Sequence, residues 1–151
     1  MGILKDRLSQ PDKRPQIISD CSKLVDGEVA AKSGVTGLMI KGGYKAFKAI
    51  KPTIVDNAVD VLLDDFAVVL DKHYETYLGA DPGKRVPFDA WAKNRDAVIA
   101  DDLLKVTDGI MERSNKVTIR KIYMGLRKVA QRNVAEAVPA VGRLAIKYVG
   151  Q

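Results

Sequence analysis

The sequence predicts an all-α protein, a single-domain helical bundle of about six to eight helices built from two sequence-related halves. Apolar residues recur at spacings of three and four along most of the chain, and no segment alternates with the period of a strand. The second observation is an internal repeat, because residues 14–33 and 95–114 align without a gap. The length of 151 residues suggests one domain.

The repeat predicts a pseudo-two-fold duplication. The aligned segments share an arginine, an isoleucine, an aspartate, a valine and a serine at equivalent positions. After a short gap Tyr44 aligns with Tyr123, and apolar matches continue beyond them. We therefore place repeat one at about residues 14–70 and repeat two at about residues 95–149. Because each half alone is close to the size at which a core is marginal, we expect the halves to share one core.

In the first half, turn-forming residues separate four predicted helices. They lie at about residues 3–8, 15–32, 36–50 and 53–78. Pro11 and Pro52 end the helices that precede them, because proline lacks a backbone N–H and clashes with the preceding turn. Gly34 suits the left-handed conformation that ends a helix. Thr53 is a suitable N-cap for the fourth helix, whose apolar seam includes His73.

The second half repeats this order after a loop at about residues 79–87, GADPGKRVP, which links the two repeats. Helices are predicted at about residues 88–93, 94–113, 116–131 and 133–149. Pro139 is expected to kink or restart the last of them, because its ring removes one helical hydrogen bond.

Composition excludes several classes of protein. Cys21 is the only cysteine, which leaves no disulfide framework and no cysteine metal cluster and suits a reducing cytoplasm. The N-terminal segment MGILKDRLSQP lacks the apolar stretch of a signal peptide, and no apolar run is long enough to span a bilayer. We expect a cytoplasmic protein that uses no cofactor. The net charge of +6 permits an anionic partner.

Two basic helices carry the candidate binding residues. Residues 33–51 and 114–132 contain no acid, whereas the long helix between the two segments is rich in aspartate. The candidates are basic residues of these segments: Lys41, Lys45, Lys48, Arg120, Arg127 and Lys128. The repeat places Arg120 and Arg127 at the positions of two of the lysines. Such stripes can contact the phosphates of a nucleic-acid backbone or of anionic lipid headgroups.

The alternative interpretation of the basic helices is structural. Runs of charge are usually solvated faces, and these side chains can also pair with the acidic helices inside the fold. No aromatic residue interleaves with the predicted exposed positions, so base stacking has no platform. Contact with a phosphate backbone is therefore favoured over sequence-specific recognition.

Three polar residues suggest a second site. Glu28 and Asp102 fall on the predicted apolar faces of matching helices, where a carboxylate must pair or shift its pKa. His73, the only histidine, lies on the apolar seam of the long helix. The three residues form a candidate buried polar site between the halves. The alternative is that the carboxylates lie at wet helix edges and that His73 is a hydrogen-bonded core residue.

No motif specifies a reaction. Residues 37–42 have the glycine spacing of a phosphate-binding loop, but Gly43 and Tyr44 follow where lysine and serine or threonine are required. The chain has no second histidine and no Glu-x-x-His sequence, so no metal site is predicted. We therefore expect a protein that is not an enzyme.

A resemblance rests on structural positions along most of the chain. These are the KSG junction at residues 32–34, the ERS junction at residues 112–114, and Tyr44, Ile54, Val55, Ala58, Val59, Leu62 and Leu63. Through them the chain resembles a family of small, uncharacterised helical proteins found in bacteria. The resemblance implies a bacterial cytoplasmic setting, and it adds no activity, ligand or functional residue.

Three functional hypotheses follow, in order of preference. The first is a non-enzymatic binding or scaffolding module whose duplicated basic helices contact an anionic partner. The second is a homodimer or another protein–protein interaction protein whose charges serve solubility. The third is an enzyme or small-ligand carrier with a pocket between the halves, near Glu28, His73 or Asp102, although the usual combinations of nucleophile, base and metal are missing.

Overall fold

The computed structural model describes residues 2–80, 83 and 86–149, apart from the side chain of Lys128. Within these residues the chain forms helices and no strand, which confirms the all-α prediction. The helices of the described residues are α1 (Ile3–Leu8), α2 (Arg14–Ala31), α3 (Gly34–Ile50), α4 (Ile54–Leu78), α5 (Phe88–Lys93), α6 (Asp96–Arg113) and α7 (Val117–Val149). Their number, seven, lies within the predicted range.

The chain reverses between α2 and α3 at a glycine. Gly34 has a φ of +72°, and no other residue of the described ranges has a positive φ. A Cβ atom at this position would meet no neighbour, so the left-handed backbone, rather than lack of space, requires glycine. Ser33 before it is extended, with φ −141° and ψ 173°. α3 therefore starts directly at Gly34, two residues earlier than predicted.

Two prolines have different effects on the long helices. Lys51, which precedes Pro52, is extended, so α3 ends and α4 begins as predicted. Pro139 instead lies inside the continuous helix α7, and the prediction of two helices at 116–131 and 133–149 is wrong. Pro139 removes only one backbone hydrogen bond, while Val138 beside it and Tyr148 further on are fully packed in the core. We attribute the continuity of α7 to this packing.

A single cluster of buried apolar side chains draws on both halves of the chain. It contains Leu4, Leu8, Ile17, Leu63, Ala67, Leu70, Phe88, Ala92, Ile99, Leu103, Val138, Ala145 and Tyr148. α1 packs on α4 and α5 packs on α7, while contacts between α4 and α6 join the halves. We refer to α1, α2, α4, α5, α6 and residues 133–149 of α7 as the bundle.

Close backbone approaches hold the two short helices of the bundle. The Asp71 carboxylate of α4 accepts the backbone N–H of Lys5 at 3.2 Å and so satisfies one open donor of α1. Gly142 of α7 lies against the backbone of α5, where a Cβ atom would come within 2.9 Å of Asp89 Cα. The contact at Gly142 leaves no room for a Cβ atom.

Aromatic residues cover the bundle where α4 ends. Phe88 packs edge-on against Tyr77, with ring centroids 5.3 Å apart, and stacks on Trp91 at 5.9 Å. The Tyr77 hydroxyl donates to the backbone carbonyl of Val86 at 2.7 Å. These contacts hold the chain on both sides of the predicted loop. Of the loop predicted at residues 79–87, residues 81, 82, 84 and 85 lie outside the described residues.

The remaining helices form an outer layer, which we call the outer pair: α3 and residues 117–132 of α7. The two helices pack against each other at Gly43, where a Cβ atom would come within 2.8 Å of the Leu126 methyl groups. In α3 only Gly37 is buried, and in the described part of residues 117–132 no side chain is buried. The outer pair therefore covers the bundle without contributing to its core. Among the helices of residues 2–80 and 86–149, none has both the length and the apolar composition that crossing a bilayer requires.

Candidate functional site

The predicted basic residues divide into two groups in the structure. Lys41, Lys45 and Arg120 are exposed, and their side chains make no hydrogen bond or ion pair with the described residues. Lys48 and Arg127 are instead tied to aspartates inside the fold. The side chain of Lys128 lies outside the described residues. The structure thus leaves three of the six candidates available to a partner and engages two.

The Lys48 ion pair joins α3 to α2. Asp26 of α2 accepts hydrogen bonds from the Tyr44 hydroxyl and from Lys48 Nζ, the latter at 3.1 Å. The same ammonium lies 4.6 Å from the centre of the Tyr44 ring. The hydrogen bond from Tyr44, followed by that from Lys48, lowers the pKa of Asp26. Lys48 therefore serves first to fasten α3 to the bundle.

An equivalent group of side chains joins α7 to α6. Arg127 donates from Nε to Asp108 Oδ1 at 2.9 Å and from Nη2 to Oδ2 at 3.1 Å, and Tyr123 donates to the same carboxylate at 2.5 Å. Arg127 holds the pKa of Asp108 below its usual range. Burial, followed by the bond to Asp108, raises the pKa of Tyr123 to about 12. At neutral pH the group is a carboxylate held by a neutral phenol and a guanidinium, an arrangement that suits anchoring rather than proton transfer.

Exposed apolar residues accompany the free cations of the outer pair. On α3, Val35 and Leu38 are 79% and 73% exposed, and on α7, Val117 and Met124 are 58% and 62% exposed. Residues three, four and seven apart share one side of a helix. Leu38 therefore lies beside Lys41 and Lys45, and Val117 and Met124 alternate with Arg120 and Lys121. We call these two helix sides the basic–apolar faces; their members are Val35, Leu38, Lys41 and Lys45 on α3, and Val117, Arg120, Lys121 and Met124 on α7.

The face on α7 is a continuous surface. Val117, Arg120, Lys121 and Met124 together line a shallow, open depression of about 380 Å³. A neighbouring depression of about 410 Å³ between α6 and α7 shares Arg120 and Met124 and has the Asp108–Arg127 pair in its lining. Because Asp108 and Arg127 satisfy each other, Arg120 is the lining cation most open to a partner.

The predicted polar site is brought together only in part. His73 Nε2 lies 2.8 Å from Asp102 Oδ2, and this contact joins α4 to α6. Glu28 makes no hydrogen bond or ion pair with either residue; it lies 3.8 Å from Lys32, which bonds Glu136 of α7 at 2.8 Å. Both carboxylates are partly exposed, as in the wet-edge alternative. Neither of the two depressions on α7 is lined by this pair.

A third carboxylate group escaped the sequence analysis. Asp20 of α2 accepts hydrogen bonds from Lys147 at 2.7 Å and from Tyr148 at 2.5 Å, which fasten α2 to the end of α7. These two bonds lower the pKa of Asp20. Cys21 beside it is mostly buried, and burial raises the pKa of its thiol to about 11. The thiol therefore stays protonated and unreactive at neutral pH.

Sequence reasoning also missed the apolar part of the basic–apolar faces. Val35, Leu38 and Met124 were indistinguishable from core residues, because helical spacing does not show which side a helix turns inward. Gly43, on the side of α3 away from Leu38, was the available signal, since glycine allows close helix contact. No group of metal-ligating side chains occurs in the described parts of the chain.

Comparison with known proteins gives a family and no activity. No curated protein and no solved structure matches the chain significantly. A family of unknown function, DUF6918, matches residues 4–149, which is nearly the whole chain. The resemblance to an uncharacterised family is confirmed by this match, and the chain belongs to the family of unknown function DUF6918.

Proposed function

We propose that the protein is a non-enzymatic binding module whose two basic helices contact an anionic partner rich in phosphate. The observation that carries the proposal is a set of exposed cations on the outer pair whose side chains make no hydrogen bond or ion pair with the described residues. They are Lys41, Lys45, Arg120 and Lys121. A cation that stabilises no contact of its own fold is free to bind an external anion at little structural cost.

The distribution of acids supports this proposal. Several charges of the bundle pair internally, as between Arg14 and the carboxylates of Asp60 and Asp64, at 2.8 and 3.0 Å. Residues 33–51 and 114–132 contain no acid, and the described acids that pair with their cations, Asp26, Asp108 and Glu136, all lie in the bundle. A patch of one sign attracts oppositely charged partners and speeds their association.

The correspondence between the halves also supports a pseudo-two-fold duplication, which we propose as the origin of the paired helices. Tyr44 and Tyr123 align in the sequence, and each donates to an aspartate of the preceding helix. The cation four residues further on, Lys48 or Arg127, binds the same aspartate. The two aspartates are offset by one position in the alignment, so the arrangement is related rather than identical. We further propose the bacterial cytoplasm as its setting, on the family resemblance and the single cysteine.

Binding across a salt series tests the proposal. The purified protein is titrated with short duplex DNA, single-stranded RNA and vesicles that contain an anionic phospholipid. The test variant carries Lys41→Glu, Lys45→Glu, Arg120→Glu and Lys121→Glu. For DNA, the slope of log affinity against log salt should become shallower by about 3–4 if each cation contacts one phosphate. For vesicles, affinity should fall by about five-fold or more per cation.

The matched control changes net charge equally but on the bundle. It carries Lys23→Glu, Lys72→Glu, Lys93→Glu and Arg143→Glu, all at exposed positions. Its affinity should exceed that of the test variant by at least ten-fold. Equal losses in both variants would show that overall charge, and not the outer pair, determines binding. Absence of binding to all three partners at low salt would reject the proposal.

A further inference from the structure

We infer that the protein holds two separate segments of duplex nucleic acid at once, one on α3 and one on α7. The two sites are the Lys41/Lys45 side of α3 and the Arg120/Lys121 side of α7. The inference rests on the proposed function, because it uses the same four exposed cations. It goes further in dividing them between two sites that face apart, and in naming the double-helical backbone as the source of the phosphates.

The contact between the two helices of the outer pair sets the direction of the Lys41/Lys45 side. α3 meets α7 at Gly43 and Leu126, where a Cβ atom on the glycine would come within 2.8 Å of the leucine methyl groups. Successive residues of an α-helix are rotated by about 100° around its axis. Lys41 and Lys45 lie two residues before and two residues after Gly43. They are therefore about 160° around α3 from the contact and are turned away from α7.

The cations of α7 are turned away from α3 by the same reasoning. Arg120 and Lys121 come six and five residues before Leu126, which makes contact with α3. They lie about 120° and 140° around α7 from that contact. Because two helices, each about 10 Å in diameter, lie between them, the two sides are roughly 20 Å apart. A segment bound along one side therefore leaves the other side open to a second segment.

The kind of phosphate surface follows from the cations and from the position of the tyrosines. A duplex carries about one negative charge per 1.7 Å of its axis, so a short row of cations meets phosphates wherever it lies along the duplex. Lys41 and Lys45 form such a row, about 6 Å apart along α3. Single strands are bound on aromatic platforms. The hydroxyls of Tyr44 and Tyr123 instead donate to carboxylates of the bundle, which favours the duplex backbone.

A bilayer fits two sides that face apart less well. One membrane surface is a single plane, so it can receive only one of the two sides. A helix that lies in a membrane surface also needs an apolar side that enters the acyl boundary. Exposed large apolar residues do not mark such a plane here, because they occur on the bundle as well, where Val61 and Val98 are 65% and 57% exposed.

Two weak sites on one molecule can act together. Each side has two free cations, so its affinity for one duplex is low and falls steeply with salt. Once one molecule has joined two duplexes, further molecules bind between the same duplexes at a raised effective concentration. The expected product is therefore a group of duplexes held side by side, and not a tight one-to-one complex.

The experiment measures the joining of two duplexes directly. A short duplex with a donor dye and a short duplex with an acceptor dye are mixed at low salt, and energy transfer between them is followed as the protein is added. Two one-sided variants are compared with the parent: Lys41→Gln/Lys45→Gln and Arg120→Gln/Lys121→Gln. Binding to a single labelled duplex is measured in parallel for each protein.

The matched control removes the same amount of charge from the bundle. It carries Lys23→Gln and Lys93→Gln, at exposed positions of α2 and α5. Circular dichroism establishes that every variant keeps the helical content of the parent. A second arm replaces the duplexes with donor-labelled and acceptor-labelled vesicles that contain phosphatidylglycerol, so that joining of lipid surfaces is measured in the same way.

We expect the parent and the control to join duplexes. Each one-sided variant should lose energy transfer by about ten-fold or more, while its affinity for a single duplex falls only about two- to five-fold. A dimer would need only one side from each protomer, so energy transfer that persists in a one-sided variant would overturn the inference. Equal loss of energy transfer in the control would overturn it as well.

Two further outcomes separate the inference from the proposed function. A parent that binds single duplexes without joining them, or that joins vesicles but not duplexes, would overturn the inference and leave the proposed function standing. Absence of binding to duplex, single-stranded RNA and vesicles would reject the proposed function and the inference with it.

Discussion

The bundle buries a core of large apolar side chains, whereas the described residues of the outer pair bury none. In the bundle, Leu4, Ile17 and Ile99 are almost completely removed from solvent. In the outer pair, Leu38 and Met124 are mostly exposed, and a glycine occupies the contact between the helices. The buried core of the bundle therefore stabilises the fold, and the outer pair is a surface layer packed on that core.

Besides the continuous helix α7, ionic contacts join the two regions, and the buried cluster of described residues includes none from the outer pair. Asp26 and Asp108 each hold one helix of the outer pair against the bundle, through a tyrosine and a cation. Such contacts fix position without requiring large buried side chains. The comparison teaches that a helix can be held firmly while its outer side stays free for a partner. Four predictions test this division of roles, in order of decreasing effect.

Truncation of a core residue should have the largest effect. Ile17→Ala should lower the free energy of unfolding by about 2–5 kcal/mol, because it removes a fully buried side chain and leaves a cavity. Leu38→Ala in the outer pair should change it by about 0.5 kcal/mol or less. Urea denaturation followed by circular dichroism measures both. Comparable losses would mean that the outer pair also contributes a core.

Alanine substitution of the two close-contact glycines should have the next largest effect, and the loss of stability should differ between the bundle and the outer pair. In Gly142→Ala the new Cβ meets the backbone of α5 at Asp89, which cannot move easily, so we expect a loss of about 1–3 kcal/mol. In Gly43→Ala it meets only the methyl groups of Leu126, and the gain in helix propensity of about 1 kcal/mol should offset the displacement. Thermal unfolding of the two variants gives the comparison. A larger loss for Gly43→Ala would contradict it.

The two anchoring aspartates should differ in strength. Asp108→Asn weakens two contacts from Arg127 and one from Tyr123 at a partly buried position, so we expect a loss of about 1–2 kcal/mol. Asp26→Asn, at a more exposed position, should cost less than about 1 kcal/mol. Denaturation at neutral pH measures the free energy of each variant. The ranking fails if Asp26→Asn proves the more harmful substitution.

The smallest expected effect is on the decrease of the free energy of unfolding at acid pH. The pKa values of Asp20, Asp26 and Asp108 are all lowered in the folded protein. Their stabilisation is therefore complete above the unfolded pKa of about 3.9 and is lost as the pH falls toward the lower folded values. We expect Asp108→Asn to flatten the fall of unfolding free energy between about pH 5 and pH 2. Parallel pH profiles for the parent and this variant would show that Asp108 contributes nothing through its charge.

Much of the fold follows from local signals in the sequence. The helix ends near Gly34 and Pro52 were predicted correctly, because these residues restrict the backbone wherever they occur. The break predicted between residues 131 and 133 is absent, because α7 is continuous from Val117 to Val149. Helix ends are predicted reliably where one residue restricts the backbone. They are predicted less reliably where no such residue marks the end and contacts distant in the sequence matter.

The sequence by itself determined the all-α class, most of the helix order and the presence of two acid-free basic segments. Only the tertiary structure decided which cations remain free, because the pairing of Lys48 and Arg127 depends on aspartates 22 and 19 residues away in the chain. It also decided that Leu38 faces solvent, since the side that a helix turns inward depends on the surfaces of its neighbours. Helical periodicity is a property of one segment, whereas exposure is a property of the whole packed molecule.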